Sequence, residues 1–176
     1  VRGLAAMPAE RPLGQGRLLR PLLAVSRAEL QAYADAQGLR WIEDPSNQCD
    51  DHARNYLRLQ VLPPISRRWP QASANMARTA AHMAEAQALL DELAQADLAA
   101  AQQPSPVDWL ALPSLCLPAL RALSPARQRN ALRHWLAHLT ELPDSDHWCG
   151  WESLRDARGD ATPRWRLGRG ELQRTG

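Results

Sequence analysis

The sequence contains no lysine, so all 21 residues counted as lysine plus arginine are arginines. Planar guanidinium groups suit phosphate and can stack on bases, so a basic surface built only from arginine favours a nucleic-acid partner. The formal net charge of +2 weakens that indication, and GC-rich coding also replaces lysine by arginine. Charge alone therefore does not decide the partner.

Long apolar runs and paired cysteines are missing too. No stretch of about 18 apolar residues is present to span a bilayer, and residues 1–14 lack the apolar centre of a signal peptide. The three cysteines, Cys49, Cys116 and Cys149, are an odd number at unrelated spacings, which favours free thiols in a reducing compartment over disulfides. We therefore expect a cytoplasmic protein with no membrane partner.

The sequence does contain enough apolar material for a core, together with an uneven charge distribution. Hydrophobic residues make up 45% of the chain and include seven tryptophans. Residues 1–70 hold ten arginines and seven acidic residues, residues 71–103 hold one and four, and residues 104–176 hold ten and eight. Two mildly basic ends thus flank an acidic middle.

Local signals near the start of the chain predict a strand followed by a helix. Residues 17–25 form an apolar run with a proline inside it, which is typical of an edge strand or extended segment. Ser26 and Glu29 fit a capping box, which predicts a helix over residues 27–37 that stops at Gly38.

A second strand and a second helix are predicted next. Residues 39–42 favour a brief strand, and residues 52–62 have a helical apolar pattern that the following two prolines should end. We expect Asp50 or Asp51 to cap this second helix.

The middle of the chain predicts one long helix. From Pro70 to about Ala101 no further proline and no glycine interrupts an alanine-rich stretch. The apolar stripe that recurs every seven residues consists of Met76, Met83, Leu90 and, at its polar end, Asp97. Because few bulky residues occupy this stripe, it favours a connecting helix over a coiled-coil dimer. Residues 102–106 then read as a domain boundary.

The last segment predicts a smaller, separate unit. Ser124 and Pro125 should begin a helix, and Asp146 should cap another. The residues expected to face the core are Leu132, Trp135, Leu136, Leu139, Trp148, Trp151 and Leu154. Residues 164–174 alternate apolar and polar side chains about a glycine turn, which predicts a β-hairpin. Because this hairpin would end with the chain, we expect a sheet that is cut off and a fragment of a larger protein.

Residues 42–58 concentrate polar side chains of several kinds. Asp44 and Asn47 on either side of a proline are typical of a turn and helix cap. Arg54 and Arg58 lie four residues apart, so a helix would place both guanidinium groups on one face. Two positive charges at that spacing repel unless carboxylates or a bound anion lie between them. The residues alone leave a buried ion-pair network and a phosphate site equally open.

The order of motifs over residues 20–70 closely resembles the segment that closes the ATP-using domain of bacterial tRNA(Ile)-lysidine synthases. These motifs are R-P-L-L, S-R-x-E, Y-A, G-L, W-x-E-D-x-S-N, R-N-x-x-R and R-W-P. The long alanine helix with its L-L-D-E-L resembles the connector of the family, and the chain from residue 104 onward is more loosely similar to its first C-terminal substrate domain.

The resemblance implies a fold and a division of the chain. It implies a mainly α protein with minor β: the end of an α/β nucleotide-dependent domain (residues 1–69), a long connecting helix (70–103) and a small helical, tRNA-binding domain (104–176). The last of these carries the C-terminal β-hairpin and is expected to be truncated.

The resemblance also implies a reaction. Members of this family use ATP, with Mg²⁺, to adenylate the C2 oxygen of the wobble cytidine of tRNA(Ile) with anticodon CAU, and the amine of lysine then displaces AMP. The S-G-G-x-D-S phosphate loop of the family does not occur in this sequence, and none of the nine glycines lies in such a motif. We therefore expect ATP and Mg²⁺ to be bound mainly outside these residues, and the chain to be inactive alone.

Individual residues take expected roles from the same resemblance. Asp44, Asn47, Asn55 and Arg58 are expected to form the active-site wall or bind phosphate, and Arg54 is the expected catalytic residue, stabilising charge near the reacting phosphate. The arginines expected to contact tRNA are Arg67, Arg68, Arg127, Arg129 and Arg133. For the last three, a solvated helix face is the alternative interpretation. For Arg67 and Arg68, a solvated pair flanking a packed Trp69 is equally open.

Two other classes of function compete with a ligase fragment. His134, His138, His147 and Cys149 form a nominal four-ligand metal set, but no C-x-x-C pair accompanies them, and we expect no metal. A helical adaptor that dimerises through the long helix predicts a homodimer at micromolar concentration and no affinity for RNA. A ligase fragment predicts RNA affinity that falls steeply with salt.

Overall fold

The computed structural model describes residues 1–105, 107, 109, 111–144, 146–158 and 161–175. The chain divides into two units, Val1–Glu85 and Ala86–Gly176, and the long helix contributes to both. The described elements are mostly helical, and the strands form two-stranded antiparallel pairs. This architecture confirms the predicted mainly α class with minor β.

The N-terminal unit begins with a hairpin and continues with helices. Its strands are β1 (Glu10–Leu13) and β2 (Gly16–Leu19), and its helices are α1 (Arg27–Ala36), α2 (Ala53–Tyr56), α3 (Leu62–Arg68) and the first part of α4 (Ala72–Ala101). Short 3₁₀ turns cover Arg2–Leu4 and Pro45–Gln48, and a π-helical turn covers Leu57–Val61.

Helix α1 has the predicted capping box. The Ser26 hydroxyl accepts from the Glu29 backbone N–H at 3.2 Å, and the Glu29 carboxylate accepts from the Ser26 N–H at 2.7 Å. Gly38 follows the helix with a φ of +62°, a left-handed conformation that favours glycine. Both ends of the helix are therefore set by the local signals that the sequence displays.

Three of the predicted strand and helix boundaries in this unit are wrong. The extended run at residues 17–25 forms a strand only as far as Leu19, and residues 39–42 form no strand. The helical path of α2 does not end at the two prolines. It passes through the π-helical turn, in which the Leu62 N–H bonds to the Leu57 carbonyl, and the prolines occupy the first turn of α3. A first turn tolerates proline because its N–H groups have no intrahelical partner.

The N-terminal unit has no buried residue, although all 85 of its residues are described. Ile42 is 96% exposed, Leu4 67% and Leu19 59%. Exposed apolar side chains of this size and number are normally covered in a folded domain. The secondary structure of this unit is therefore held by caps and hydrogen bonds more than by a core of its own.

The C-terminal unit contains the last turns of α4 and all remaining elements. The strands are β3 (Gln102–Gln103) with β4 (Ser114–Leu115), and β5 (Arg164–Leu167) with β6 (Gly170–Gln173). The helices are α5 (Leu117–Arg121), α6 (Pro125–Leu136) and α7 (Cys149–Asp156), and a 3₁₀ turn covers Asp146–Trp148. The predicted long helix, the helix at Pro125 and the hairpin are all confirmed.

This unit has a true hydrophobic core. Its buried members are Ala101, Leu120, Leu132, Leu136, Trp148, Trp151, Leu154 and Trp165. Trp165 of β5 lies against Gly150 of α7, where a Cβ would come within 2.8 Å of the indole Cγ. Glycine at this position lets the hairpin and the helix approach closely. Of the predicted core residues, Trp135 is only partly buried and Leu139 is 44% exposed.

The helix cap predicted at Asp146 lies two residues earlier, at Asp144. The Asp144 carboxylate, and not that of Asp146, accepts from the backbone N–H groups of Asp146 and His147, each at 3.2 Å. Asp146 itself lies inside the 3₁₀ turn that leads into α7.

Candidate functional site

The D-P-S-N segment forms a 3₁₀ turn that Asp44 caps. The Asp44 carboxylate accepts from the Ser46 N–H at 2.9 Å, and this bond lowers the pKa of Asp44 below its ordinary value of 3.8. The turn runs from Pro45 to Gln48. Asp44 is therefore ionised near neutral pH and committed to the local backbone.

Asn55 ties this turn to the helix that follows it. Its amide donates to the carbonyl of Ser46 at 2.9 Å and to that of Cys49 at 2.8 Å. Arg58 donates to the Asn47 carbonyl and, at 3.2 Å, to the Asn55 side-chain oxygen. Four of the residues singled out in the sequence thus belong to one hydrogen-bonded segment, which we call the turn clamp: Asp44, Asn47, Asn55 and Arg58.

Arg54 lies outside the turn clamp. Its side chain is exposed and has no hydrogen-bond or ion-pair partner among the described residues. The two upstream carboxylates that the sequence offered as caps bond elsewhere: Asp50 accepts from Gln60 at 3.0 Å, and Asp51 accepts from the Cys49 thiol at 2.9 Å. Helix α2 begins after His52 without a side-chain cap. Arg54 and Arg58 therefore have different environments despite their helical spacing.

Arg67 and Arg68 lie at the end of α3, next to an exposed tryptophan. The Arg68 guanidinium lies 5.7 Å from the Trp69 ring centroid, and Trp69 is 59% exposed. A cation over an indole in this geometry is attractive. Arg67 is exposed and has no side-chain partner among the described residues, so this end of the helix presents one stacked guanidinium and one solvated guanidinium.

The three arginines predicted on α6 fall into three different environments. Arg127 donates from Nε to Asp97 at 3.1 Å and from Nη2 to the other carboxylate oxygen, and Asp97 is buried in α4. This hydrogen bond, and the charge of Asp97, raise the pKa of Arg127 above its ordinary value. Arg133 lies 5.4 Å from the Trp148 ring centroid. Arg129 is exposed and has no recorded partner in the described part of the chain.

A row of polar contacts joins α4 to α6 beside the Arg127 pair. The Asn130 amide donates to the Leu90 carbonyl at 2.6 Å, and the His134 ring lies 3.6 Å from the Asp91 carboxylate. Asp97, at the polar end of the predicted stripe, is therefore covered by a helix of the same chain. Sequence reasoning missed these contacts because their partners are 30 to 43 residues apart.

The nominal metal-ligand set is not assembled. His134 is near Asp91, and His147 bonds to Asp144, so the two histidines have separate partners. The Cys149 thiol donates to the Asp146 carbonyl at 3.2 Å. Among the described residues, no group of three or more histidine, cysteine, aspartate or glutamate side chains is placed to hold a metal ion. The three cysteines are free, and no described helix is both long and apolar enough to cross a membrane.

Two family models match the chain at its two ends. Residues 1–65 match the model described as a PP-loop domain, and residues 115–175 match the model described as the TilS substrate binding domain. The chain is 63% identical over 175 residues to the tRNA(Ile)-lysidine synthase of Pseudomonas fluorescens, and 64% identical over 177 residues to that of Pseudomonas aeruginosa. Each alignment covers 99% of this chain and 40% of the relative.

The chain belongs to the tRNA(Ile)-lysidine synthase family. A more distant relative, the enzyme of Escherichia coli O157:H7, is 43% identical over 174 residues, which cover 98% of this chain and 39% of the relative. The chain thus spans about 40% of the length of the curated synthases that it matches. The family inferred from the motifs of residues 20–70 is confirmed.

The two matched regions of the synthase family fall in different units of the structure. The PP-loop match lies within Val1–Glu85 and includes the turn clamp and Arg54. The substrate-binding match lies within the C-terminal unit and includes α6, α7 and the last hairpin. The PP-loop portion contains no glycine-rich phosphate loop in its sequence.

Proposed function

We propose that this chain supplies part of the active-site wall and a tRNA-binding surface of an ATP-dependent tRNA(Ile)-lysidine synthase. The whole enzyme is a ligase that adenylates the wobble cytidine of tRNA(Ile) with anticodon CAU and then joins lysine to its C2. The observation that carries the proposal is the turn clamp, which fixes the D-P-S-N turn and leaves Arg54 exposed beside it.

The turn clamp supports a division of roles between neighbouring residues. Asn55 donates to two backbone carbonyls and Arg58 donates to the Asn47 carbonyl, so both residues hold the wall in shape. Arg54 keeps its five donors for an external group, and a guanidinium beside a phosphate stabilises the negative charge that develops there. Arg54 is therefore the residue proposed to act on the reacting phosphate, and Asp44 and Asn47 complete the wall.

ATP and Mg²⁺ are proposed to be held mainly by parts of the enzyme outside these residues. The chain has no phosphate loop, and its described residues form no cluster of metal ligands. When bound, ATP supplies the adenylyl group that activates the cytidine oxygen. Among the described residues of this site, the exposed Arg54 guanidinium is the group proposed to interact with a phosphate.

The tRNA-binding roles proposed on α6 follow from which guanidinium groups are free. Arg129 is the best placed of the three because it has no recorded partner, whereas Arg127 and Arg133 are engaged by Asp97 and Trp148. Arg67 and Arg68 are proposed to contact the tRNA backbone, with Trp69 beside them as a stacking surface.

The remaining proposals concern organisation. We propose a functional division into residues 1–69, 70–103 and 104–176, in which the middle part is a connecting helix. Lysine is the proposed second substrate, the cytoplasm is the proposed location, and a homodimer is a further proposed assembly.

The role of Arg54 is tested in the full-length synthase that carries this segment. Arg54→Ala should lower kcat for lysidine formation by about 100-fold or more, because losing one hydrogen-bond donor to charge that develops in the transition state costs about that much. The melting temperature and the KM for tRNA should not change, because Arg54 lies outside the turn clamp.

Arg40→Ala serves as the matched control, since Arg40 is also exposed and has no recorded partner among the described residues. Full turnover by Arg54→Ala, or an equal loss in Arg40→Ala, would contradict the assignment.

A further inference from the structure

We propose that the outer face of the β5–β6 hairpin binds the phosphate backbone of RNA. This face consists of Arg164 and Arg166 on β5, Glu171 and Gln173 on β6, and Arg169 at the turn, and we call it the hairpin arginine face. The inference rests on the proposed function, because it assumes that the RNA is the tRNA substrate. It adds a binding surface to a domain in which the other arginines proposed to contact tRNA lie on α6.

The alternation of the strands separates the arginines from the core. Trp165 is buried and Leu167 packs against the core, whereas Arg164 and Arg166 are exposed. Side chains two residues apart on a strand point the same way and are roughly 7 Å apart. The two guanidinium groups therefore leave the same side of the hairpin in a row that can follow a polynucleotide backbone.

The hairpin is anchored to the rest of its unit at its middle, at its turn and at its open end. Trp165 lies against Gly150 and its ring centroid is 5.6 Å from that of Trp148. At the turn, the Arg169 N–H donates to the Thr140 hydroxyl at 3.1 Å. At the open end, Arg174 donates to the Ala157 carbonyl at 2.6 Å. Anchoring at both ends lowers the conformational entropy lost when a ligand binds the outer face.

On this face, one arginine is paired with a carboxylate and two arginines have no such partner among the described residues. Arg164 bonds to Glu171 at 3.2 Å, and Glu171 is also the residue directly opposite Arg166 in the strand register. A second carboxylate, that of Glu141, lies close to Gly168 at the turn. Arg166 and Arg169 are exposed, and the described residues provide no recorded partner for either side chain. Two free guanidinium groups and one held by an exposed carboxylate are suited to a polyanion.

The occupant proposed for this face is a nucleic acid rather than an acidic protein. The hairpin lies inside the region that matches a substrate binding domain, and the relatives are named for a tRNA. All of the cations on the face are arginines, whose planar forks suit phosphate oxygens. An acidic protein partner is an outcome that the test below separates.

The test measures binding of unmodified tRNA(Ile) with anticodon CAU to the 176-residue chain over a range of salt concentrations. The double variant Arg166→Ala/Arg169→Ala should weaken binding about tenfold and reduce the slope of log K against log salt by roughly 1.5, as expected for two lost phosphate contacts. The matched control is Arg11→Ala/Arg17→Ala, which removes two arginines from the other hairpin, β1–β2, and should leave the slope unchanged.

Glu171→Gln provides an independent test that does not depend on losing an interaction. Removing this carboxylate frees Arg164 and should tighten tRNA binding and steepen the salt dependence. Unchanged binding by both the Arg166/Arg169 double variant and Glu171→Gln would overturn the proposal, as would equal losses in the two double variants. Far-UV circular dichroism of each variant verifies that the chain has folded.

The outcomes also separate this inference from the function on which it rests. If the wild-type chain binds no tRNA, both the hairpin arginine face and the proposed tRNA-binding surface of the chain are wrong. If the wild-type chain binds tRNA with a salt dependence that no hairpin variant alters, only the hairpin inference is wrong. Binding of polyglutamate in place of tRNA would indicate an acidic protein and overturn the choice of occupant.

Discussion

Asn55 connects three parts of the N-terminal unit through one carboxamide. It donates to the carbonyls of Ser46 and Cys49 and accepts from Arg58. Sequence reasoning identified Asn55 through a family motif, but not its partners, because an asparagine beside two arginines carries no signal of which backbone groups it will meet. The turn clamp is therefore a result of the structure.

Asn55→Asp should loosen the turn clamp, because it replaces the donor to two carbonyls with an acceptor. We expect the local opening free energy around residues 45–49 to fall by about 1 kcal/mol, the net worth of a typical hydrogen bond. Amide hydrogen exchange of this segment measures the effect. Asn75→Asp is the control. It makes the same chemical change at a residue that uses its side-chain oxygen, and not its nitrogen, to accept from Arg78. Equal exchange rates in the wild type and Asn55→Asp would contradict the clamp.

The exposed Asp144–His147 pair makes stability depend on pH. Its hydrogen bond and the charge of Asp144 raise the pKa of His147 above 6.5, and the same bond lowers the pKa of Asp144 below 3.8. The histidine contribution is thus complete below pH 6.5 and is lost as the pH rises through the raised pKa. The aspartate contribution is present above pH 3.8 and is lost as the pH falls through the lowered pKa.

His147→Gln should therefore lower the melting temperature between these two values, and the difference from wild type should shrink as the pH rises above 6.5. The expected shift is small because both side chains are exposed and screened. His82→Gln, at an exposed histidine of α4, controls for loss of an unpaired imidazole. A difference from wild type that grows with pH would contradict the assignment.

At the scale of elements, α6 is held to α4 by polar contacts as well as by the core. Ser124 and Pro125 predict the start of α6 from the sequence, and the Ser124 hydroxyl caps this helix as predicted. The pairing of Arg127 with Asp97 could not be predicted, because it depends on how two helices meet. The prolines after residue 62 led to a wrong predicted helix end for a local reason: a π-helical turn places them in the first turn of α3, where proline is tolerated.

Arg127→Ala should destabilise the C-terminal unit more than any other arginine substitution on α6. It leaves the buried Asp97 carboxylate without its partner, and an uncompensated buried charge is costly. We expect the melting temperature to fall by roughly 5 °C or more. Arg129→Ala, two residues away on the exposed face, should stay within about 1 °C of wild type. Thermal denaturation followed by circular dichroism compares them, and equal melting temperatures would rule out a structural role for Arg127.

At the scale of the whole molecule, the two units differ in what stabilises them. The C-terminal unit has a core with three buried tryptophans, whereas no residue of Val1–Glu85 is buried. The family motifs that identify the chain are concentrated in the unit without a core. The sequence could therefore predict the family and the local helices there. It wrongly predicted a strand at residues 39–42, because a strand depends on partners that its own residues do not specify.

The α4 stripe illustrates the same limit for assembly. The seven-residue repeat of the stripe was compatible with a coiled-coil dimer. Only the structure shows that the end of the stripe, at Asp97, is paired with Arg127 of the same chain. A helical adaptor needs that stripe for a partner, whereas a ligase fragment needs the exposed arginines for RNA. Binding to tRNA is therefore the property that distinguishes the two accounts at the scale of the molecule.

The most direct measurement is fluorescence anisotropy of labelled tRNA(Ile) with anticodon CAU titrated with this chain at several salt concentrations. An elongator methionine tRNA with the same anticodon is the control, because any preference must then come from outside the anticodon. The account predicts preferential binding of the isoleucine tRNA, with an affinity that falls steeply with salt. Absence of binding, or a salt-independent affinity that is equal for both tRNAs, would contradict it.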